Sequence, residues 1–491
     1  MKNNTNFSRQ SSKGIIVIYA KLLLSFFKSS WILFFFIFKD FYKLSSVKLL
    51  YIFIGISVVL LVLLVRAYLL YKNFLFRVRD DKFELKQGIL KKTNTSIDFD
   101  RIQNVSLSQN LIQQFIGVYQ VEIETAGSEK TEISIKALKI KDANALKKKL
   151  SKYKEIASSA VFKKEKPFLK ITLKELVKVG LAENHLISLL LLSSILFGVF
   201  NQVKDIFKGF GFESFFKKYF NEGFDFIIHN LILLLIVAVI SIFTSVIRVF
   251  LFHFNLTVFF KNKAFEINQG LFTKRFKLLK LEKIQSITIS DNIIKKKLGI
   301  SSVVFKQAGE SMLKKNKKLI KIVGCKKELL VKIKEILYAF ENVSFSEKRC
   351  SDIFFKKRLF LWSFVLLVAL NLVLFFSFKD LNSLFVNILL IPLLILNVIT
   401  KFKKRFYKIS DDLLIVSQGG IIETHHTYLP FYKVQNIKMK QSVFQKRSNV
   451  VDLIFQTALG KVDIPCLQKS EAVKIYNYTL FKVESNTKPW M

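Results

Sequence analysis

A short phrase that occurs three times is the strongest constraint on how this chain folds. Arg101-Ile102-Gln103-Asn104-Val105 returns as Lys283-Ile284-Gln285-Ser286-Ile287 and again as Lys433-Val434-Gln435-Asn436-Ile437. The first two copies lie 182 residues apart, and the second and third lie 150 residues apart. Gln87-Gly88 and Gln269-Gly270 keep the first of these offsets. Because several landmarks share one offset, the chain is a triplicated unit.

The apolar stretches between the repeats have the length of membrane spans. With 491 residues, 14% aromatic side chains and a mean hydropathy of +0.33, the chain is too apolar for a soluble array. About 20 apolar residues cross a bilayer, so we expect six spans in three hairpins. Lys21 and Lys28 divide the first stretch, which leaves open whether it spans the membrane or lies on it. The stretches are 15–38, 47–71, 185–203, 226–252, 359–378 and 384–400.

Each segment outside the hairpins has the pattern of a β domain closed by a helix. Apolar residues recur at every second position, which is typical of half-buried strands. Amphipathic helices are expected over 142–158, 328–340 and 470–483. The predicted fold class is therefore a mixed membrane protein in which transmembrane hairpins alternate with three antiparallel β domains. The expected segments are 1–71 with the first hairpin, 72–166 as the first β domain, 167–252 with an amphipathic helix and the second hairpin, 253–349 as the second β domain, 350–400 with the third hairpin, and 401–491 as the third β domain.

A helix stop is predicted at the same place in each unit. Residues 110–116 have the pattern of a short helix, and Gly117 follows them. The equivalent residues in the other units are Gly299 and Asn449. Glycine and asparagine tolerate the left-handed conformation better than other residues, and this conformation commonly ends a helix.

The distribution of basic residues predicts the orientation in the membrane. The formal net charge is +42, and basic residues cluster at Lys356-Lys357-Arg358 and at 401–405, whereas the later hairpin loops are close to neutral. By the positive-inside rule, the β domains are expected on the cytoplasmic side of a bacterial inner membrane. The N-terminus lacks the pattern of a cleavable signal peptide. Three widely separated cysteines predict reduced thiols rather than a disulfide framework or a zinc site.

The order of these motifs resembles a known family. The repeated phrase, a short helix, a glycine, a strand and Thr125-Ala126-Gly127 are similar to the YdbS/YdbT-type bacterial pleckstrin-homology (PH) proteins, also described as membrane-flanked domain proteins. Three units resemble the larger, YdbT-like form. The resemblance implies PH-like, partly open β-barrels capped by a C-terminal helix, and it implies no catalytic residues. It also implies a role in cell-envelope stress or antimicrobial-peptide protection, and a smaller single-domain partner of the same family.

The third unit departs from the family pattern. It has an extra glycine in Gln418-Gly419-Gly420, and Thr457-Ala458-Leu459-Gly460 contains an inserted residue. A different partner for this unit is therefore a hypothesis.

The repeated residues and the lysine clusters have a structural and a functional interpretation. A glutamine present in every unit is favoured as a structural hydrogen-bonding residue at a barrel corner, because a buried amide needs partners. The second interpretation is a shared rim that faces a ligand. Lysine clusters are usually solvated, yet beside an anionic leaflet each base contributes about 1 kcal/mol. The signature residues are Arg101, Gln103, Gly117, Lys283, Gln285, Gly299, Lys433, Gln435 and Asn449, and the candidate membrane-surface residues are Lys147, Lys148, Lys149, Lys295, Lys296 and Lys297.

These features favour a binding protein over the other functional classes. No catalytic or nucleic-acid motif is found, no cofactor is expected, and His425-His426 are expected in a surface loop rather than at a metal. We expect the β domains to bind membrane lipid, a protein partner or one another, which leaves a homo- or hetero-oligomer open. A transporter or channel with regulatory domains is the alternative, although its spans carry almost no charge. A purely structural scaffold is the third possibility.

Overall fold

Three repeats of one element order make up the chain. The computed structural model describes residues 7–39, 46–125, 133–150, 167–185, 188–189, 192, 231–307, 320–338, 347–349, 352–378, 387–458 and 460–486. Each repeat begins with a short strand and continues with helical segments, three strands, a 3-10 turn, a strand, a short helix, two strands and a closing helix. The predicted span at 185–203 lies almost entirely outside the described residues.

The first repeat contains the long N-terminal helices and the first two sets of strands. Its 3-10 turn, Phe99–Arg101, leads directly into the repeated phrase. Its elements are β1 (Ser8–Arg9), α1 (Gly14–Lys39), α2 (Ser46–Lys72), β2 (Leu75–Arg79), β3 (Lys82–Gln87), β4 (Thr93–Asp98), β5 (Ile102–Gln109), α3 (Leu111–Ile116), β6 (Tyr119–Thr125), β7 (Ile133–Leu138) and α4 (Ile140–Leu150).

The second repeat follows the same order. Its 3-10 turn is Leu281–Lys283. Its described elements are β8 (Leu169–Lys170), α5 (Leu173–Leu181), α6 (Leu231–His253), β9 (Thr257–Lys261), β10 (Ala264–Gln269), β11 (Lys274–Lys280), β12 (Ile284–Asn292), α7 (Ile293–Lys297), β13 (Ile300–Gln307), β14 (Ile320–Lys326) and α8 (Lys327–Tyr338).

The third repeat has the 3-10 turn Phe431–Lys433. Its elements are β15 (Glu347–Arg349), α9 (Asp352–Phe378), α10 (Asn387–Lys404), β16 (Phe406–Ile409), β17 (Leu413–Gly419), β18 (Glu423–Pro430), β19 (Asn436–Lys440), α11 (Val443–Arg447), β20 (Val450–Thr457), β21 (Gly460–Gln468) and α12 (Lys469–Glu484).

The closing helix covers a core formed by two sets of three strands. In the first repeat, Phe83 on β3, Ile123 on β6 and Leu146 on α4 belong to one buried cluster. In the third repeat, Leu414 on β17, Leu453 on β20 and Ile475 on α12 do the same. Every second residue of these strands faces inwards, so the alternation in the sequence produces this core. The antiparallel strands and closing helices agree with the predicted β domains.

The strands also join across the boundary between repeats, which the prediction of separate barrels did not include. Strand β5 of the first repeat pairs with β11 of the second, and β12 of the second pairs with β18 of the third. We call these pairings seam 1 and seam 2. They produce the sheet orders β7-β6-β5-β11-β10-β9-β8 and β14-β13-β12-β18-β17-β16-β15, beside a four-stranded sheet β1-β2-β3-β4 and a three-stranded sheet β19-β20-β21.

Because of the seams, the compact units of the chain differ from the repeats. One unit comprises residues 1–170 and 257–279, and the other comprises 171–256 and 280–491. Seam 1 lies in the first unit and seam 2 in the second.

Two helices in the described part of the chain are long and apolar enough to cross a membrane. They are α2 and the Leu235–His253 portion of α6. Helix α1 is one continuous helix of 26 residues that contains both Lys21 and Lys28. In the third hairpin, the amides of Asn371 and Asn387 exchange two hydrogen bonds of 3.1 and 2.7 Å, which joins α9 to α10.

The predicted helix stops are confirmed. Gly117, Gly299 and Asn449 have φ angles of 70°, 66° and 51°, all in the left-handed region. At the other end of the same short helices, Asn110 and Ser442 form capping boxes with the residues three positions later.

Candidate functional site

The repeated glutamine is buried at a seam and exposed at a free edge. Gln285 stands at the start of β12, which seam 2 covers, and its exposed fraction is 0%. Gln435 precedes β19, which is an end strand of its sheet among the described residues, and it is exposed. The side chain of Gln103 lies outside the described part. The glutamine therefore marks the strand where neighbouring repeats join.

The repeated base has a direct role at seam 2. Lys433 is 1% exposed, and its Nζ donates to the backbone carbonyl of Glu282 at 2.6 Å, so it ties the third repeat to the second. Burial lowers the pKa of Lys433 to about 8. Burial also lowers the pKa of the equivalent Lys283 to about 8. Arg101, the equivalent base in the first repeat, is exposed.

Side chains from both repeats meet along seam 2. The hydroxyls of Thr288 and Thr427 lie 3.2 Å apart, and Ser290 Oγ lies 2.9 Å from His425 Nδ1. His425 and His426 thus belong to strand β18 and not to the surface loop predicted for them. Burial lowers the pKa of both imidazoles, although Glu423 and Asp291 act in the opposite direction.

Seam 1 is joined by different side chains in the same place. Gln114 on α3 donates its Nε2 to the carbonyls of Leu271 and Phe272, at 3.1 and 3.0 Å, in the turn between β10 and β11. The rings of Tyr119 and Phe276 lie 6.2 Å apart, and Phe276 packs against the core of the first repeat. The side chains differ between seams, while the pairing of strands is shared.

Each short helix presents an exposed apolar residue at its first position. Leu111, Ile293 and Val443 are equivalent, and their exposed fractions are 42%, 63% and 78%. Phe115, at the end of α3, is 89% exposed. Because a large apolar side chain is exposed at the same position in all three copies, this position is a candidate contact surface. The sequence shows an apolar residue after the N-cap of the short helix in every repeat, but we did not predict its exposure from this pattern.

The short helices lie beside the helices that lead into the predicted hairpins. Lys13, which precedes α1, donates to the carbonyl of Ile116 at the end of α3. At the start of α7, the Asn292 amide donates to the carbonyl of Ala182, directly after α5. Arg358 on α9 binds Asp452 at 2.7 Å, and Asp452 accepts from Gln445 of α11 at 2.8 Å.

The lysine clusters are less uniform than predicted. Lys149, Lys296 and Lys297 are exposed, Lys147 is partly buried, and the side chain of Lys148 lies outside the described part. Lys295 is 2% exposed and is therefore not a membrane-surface residue. It turns inwards because it occupies the helix position of Gln113 and Gln445, which are also buried.

A buried charge cluster surrounds Lys295. Glu183 Oε1 lies 2.9 Å from Lys321 Nζ and 3.5 Å from Lys295 Nζ. Burial alone raises the pKa of Glu183, but the two ammonium groups outweigh it and the pKa is lowered. Burial lowers the pKa of Lys295, against the attraction of Glu183. The cluster fixes α7 to the segment that follows α5.

An apolar groove with basic residues lies between α9 and α10. Its volume is about 800 Å³, and its wall is mostly aromatic and aliphatic. The ammonium of Lys356 lies 4.3 Å from the centre of the Phe402 ring. The lining residues are Lys356, Lys357, Phe360, Leu361, Phe364, Val398, Ile399, Phe402 and Lys403.

The described residues do not provide an obvious metal or thiol site. Among them, no group of three or more histidine, cysteine or acidic side chains is arranged to hold a metal ion. Cys325 and Cys466 are buried free thiols, and burial raises their pKa to about 12 and about 11. Such thiols are poor nucleophiles.

Comparison with known proteins agrees with the repeat structure. A family model described as "Bacterial PH domain" matches three times, over residues 32–154, 198–340 and 364–480. The UPF0699 transmembrane protein YdbT of Bacillus subtilis (strain 168) is 24% identical over 421 residues, which is 81% of this chain and 82% of that protein. The chain therefore belongs to the bacterial PH domain family, and it contains three consecutive copies of the domain.

Proposed function

We propose that the chain is a six-span protein of the bacterial inner membrane that holds three cytoplasmic PH domains against the leaflet, where they bind anionic lipid as part of the cell envelope. The observation that carries this proposal is the exposed apolar residue at the start of each short helix, Leu111, Ile293 and Val443. The proposal assigns binding to the domains and no catalytic step.

The position of the short helices supports contact with lipid. Each lies beside the helix that leads into its hairpin, so it is close to the bilayer surface if that hairpin spans the membrane. An apolar side chain that enters the interfacial layer is removed from water, and burying a side chain of this size contributes about 1.5–3 kcal/mol. Three such anchors on one chain act together, because the first contact raises the effective concentration of the others.

Basic residues next to the anchors favour an anionic leaflet. Lys296 and Lys297 on α7, and Lys446 and Arg447 on α11, are exposed beside the apolar residues. An apolar residue flanked by bases is typical of a segment that lies in the interface of an anionic membrane.

The groove between α9 and α10 supports a more specific lipid contact. The groove has a volume of about 800 Å³, and one end of it is lined by Lys356, Lys357 and Lys403. A lipid phosphate fits the three ammonium groups, and an acyl chain fits the aromatic and aliphatic wall. Basic pockets between helices at the cytoplasmic side have this combination of features.

The proposal is tested by the depth of the short helices in vesicles. Val443→Cys in the full chain carries an environment-sensitive fluorophore, and the vesicles contain headgroup spin-labelled lipid, with or without phosphatidylglycerol. We expect strong quenching that increases with phosphatidylglycerol. Asp411→Cys is the control, because Asp411 is exposed in the turn between β16 and β17 and does not belong to a short helix. Equal quenching at the two positions would contradict the proposal.

The groove has its own test. We expect the triple variant Lys356→Gln, Lys357→Gln, Lys403→Gln to retain less phosphatidylglycerol in native mass spectrometry than the parent chain. The matched control replaces the exposed lysines Lys461, Lys469 and Lys474 by glutamine. Loss of lipid to the same extent in both variants would show that total charge, and not the groove, retains the lipid.

A further inference from the structure

In the described part of the chain, the first and third repeats each have one unpaired strand edge, and the two edges are of complementary type. At seams 1 and 2, the strand after the 3-10 turn of one repeat pairs with the third long strand of the next. Among the described residues, β4 has no neighbour on one side, and it is the third long strand of the first repeat. Strand β19 is also an end strand, and it is the strand after the 3-10 turn of the third repeat. The array thus ends with one edge of each kind.

We propose that β19 of one chain pairs with β4 of a second copy of the same chain, so that the copies assemble head to tail through a third seam. Such an interface uses two different surfaces of each copy and therefore closes into a ring or continues as a row. Two pairs of such complementary edges are already joined inside the chain as seams 1 and 2, so the third seam continues an observed interface.

The register of the third seam follows from the other two, which are identical. Seam 1 pairs Ser108 with Arg275, and seam 2 pairs Ser290 with His425, the equivalent residues after offsets of 182 and 150. The same offsets place Lys440 opposite Thr93 of the second copy. The next position along the strands places Met439 opposite Asn94.

The side chains of the two free edges are complementary. In seams 1 and 2, a serine hydroxyl on the first strand faces a basic or imidazole side chain on the second. In the third seam the roles are exchanged, because Lys440 lies on β19 and Thr93 on β4. Among the described residues, the other two third strands, β11 and β18, are already paired in seams 1 and 2, so they are not available to β19. The free edge of β19 therefore favours β4.

The signature residues at these ends are exposed where their equivalents are buried. Lys433 is 1% exposed at seam 2, where its ammonium donates to the Glu282 carbonyl, whereas the equivalent Arg101 is exposed. By the same geometry, Arg101 donates to the carbonyl of Tyr432 in the second copy. The exposed Gln435 occupies the position that is fully buried as Gln285 in seam 2.

The turn before β4 also has the features of an uncompleted seam. Leu90 at this turn is 100% exposed. The equivalent residue, Phe272, accepts a hydrogen bond on its carbonyl from Gln114 of the neighbouring repeat, and its side chain is 47% exposed. The residue equivalent to Gln114 in the third repeat is Lys446, which is exposed and has the donor groups for the Leu90 carbonyl of the second copy. Unprotected edges of this kind are normally covered in native proteins.

Disulfide crosslinking of the full chain in membranes tests the proposal. Two populations are co-expressed, Thr93→Cys with one affinity tag and Lys440→Cys with another, and mild oxidation follows. Both positions are exposed, so the variants are expected to fold, and their abundance in the membrane checks this. The matched control pairs Lys440→Cys with Lys86→Cys, which is exposed on β3, one strand further from the edge. The parent chain gives the background from the native cysteines.

The expected result is a reducible dimer that carries both tags and forms several-fold faster than the control pair. A chain with both Thr93→Cys and Lys440→Cys is expected to give a ladder of dimers and larger species. A circular monomer from this double variant would show that the edges meet within one chain and would overturn the proposal. Crosslinking no faster than the control would overturn it as well.

A further substitution tests the hydrogen bond assigned to Arg101. Arg101→Ala, added to the crosslinking pair, is expected to slow dimer formation several-fold, because the bond to the Tyr432 carbonyl is lost. Arg79→Ala is the control, since Arg79 is an exposed base that pairs with its neighbour Asp80 at 3.0 Å. Equal rates for the two variants would contradict the role assigned to Arg101.

Discussion

Gln285 and Gln435 occupy the same position in two repeats, yet one is fully buried and the other is exposed. The local structure around them is similar, since each comes two residues after a 3-10 turn, Gln285 as the second residue of β12 and Gln435 directly before β19. The difference is the neighbour. Strand β12 is covered by β18, whereas β19 has no strand on its outer side in the described part of the chain.

The repeated phrase therefore belongs to the interface between neighbouring repeats as well as to the domain itself. If the phrase only fixed a barrel corner, burial of its residues would be similar in every repeat. Instead Lys433 reaches the Glu282 carbonyl of the preceding repeat, and the register of seam 1 recurs in seam 2.

The same substitution at the two glutamines is expected to have opposite outcomes. Gln285→Lys places an unpaired charge in the interior and is expected to lower the free energy of unfolding by about 4 kcal/mol. Gln435→Lys is expected to change it by less than about 0.5 kcal/mol, because the side chain stays in water. Thermal unfolding of the full chain in detergent measures both. Equal losses would show that the two environments do not differ.

The charge cluster of the second repeat is expected to show a smaller effect. Glu183→Gln leaves the ammonium groups of Lys295 and Lys321 without their carboxylate. We expect a loss of about 2 kcal/mol, since a buried charge is left without its partner. Adding Lys295→Gln, the residue type found in the other two repeats, is expected to recover part of the loss. No recovery would mean that Lys295 is not the group that Glu183 stabilises.

Acidification is expected to weaken seam 2. Burial lowers the pKa of His425 and His426 below the ordinary value of 6.5, so the folded chain binds fewer protons than the unfolded chain. Stability is therefore greatest above pH 6.5 and falls as the pH drops below it. Glu423 and Asp291 favour protonation, while Lys295 and Lys296 oppose it.

The control for this pH dependence comes from the free edge. His425→Thr with His426→Asn introduces the residues found at the equivalent positions of β4. The melting temperature of this variant is expected to fall less between about pH 7.5 and about pH 5.5. An unchanged dependence on pH would assign the effect to other groups.

Substitutions at the helix stops are expected to change the free energy of unfolding least. Gly299→Asn is expected to cost about 0.5 kcal/mol, and Asn449→Gly is expected to be neutral or slightly stabilising, because both residues adopt the left-handed conformation. Gly299→Ala is expected to cost about 1 kcal/mol, because alanine adopts this conformation less readily. Chemical unfolding of the three variants measures the order of their stabilities. Alanine as stable as asparagine at this position would contradict the conformational account.

The sequence predicted what depends on local structure. The alternation of apolar residues gave the strands, the offsets gave the repeats, and the glycine or asparagine after each short helix gave its end. The closing helix expected at 328–340 is observed at Lys327–Tyr338, and the one expected at 470–483 is observed at Lys469–Glu484. These features are set by the residues of each segment alone, so a single sequence is enough.

The sequence did not predict the seams, because edge pairing is carried by backbone groups that every residue has. His425 and His426 were expected in a loop since nothing in their side chains indicates a paired strand. Lys295 was expected at the surface because it belongs to a run of three lysines, but its helix position is an inward one in all three repeats. In both cases tertiary structure outweighs the local pattern.

Disulfide formation within one chain measures the register of the two seams most directly. Ser108→Cys with Arg275→Cys tests seam 1, and Ser290→Cys with His425→Cys tests seam 2, because each pair lies directly opposite across the strands. We predict that both pairs form disulfides within a monomer at similar rates. A crosslink that forms only between chains, or only when one cysteine is shifted along its strand, would contradict the shared register of the repeats.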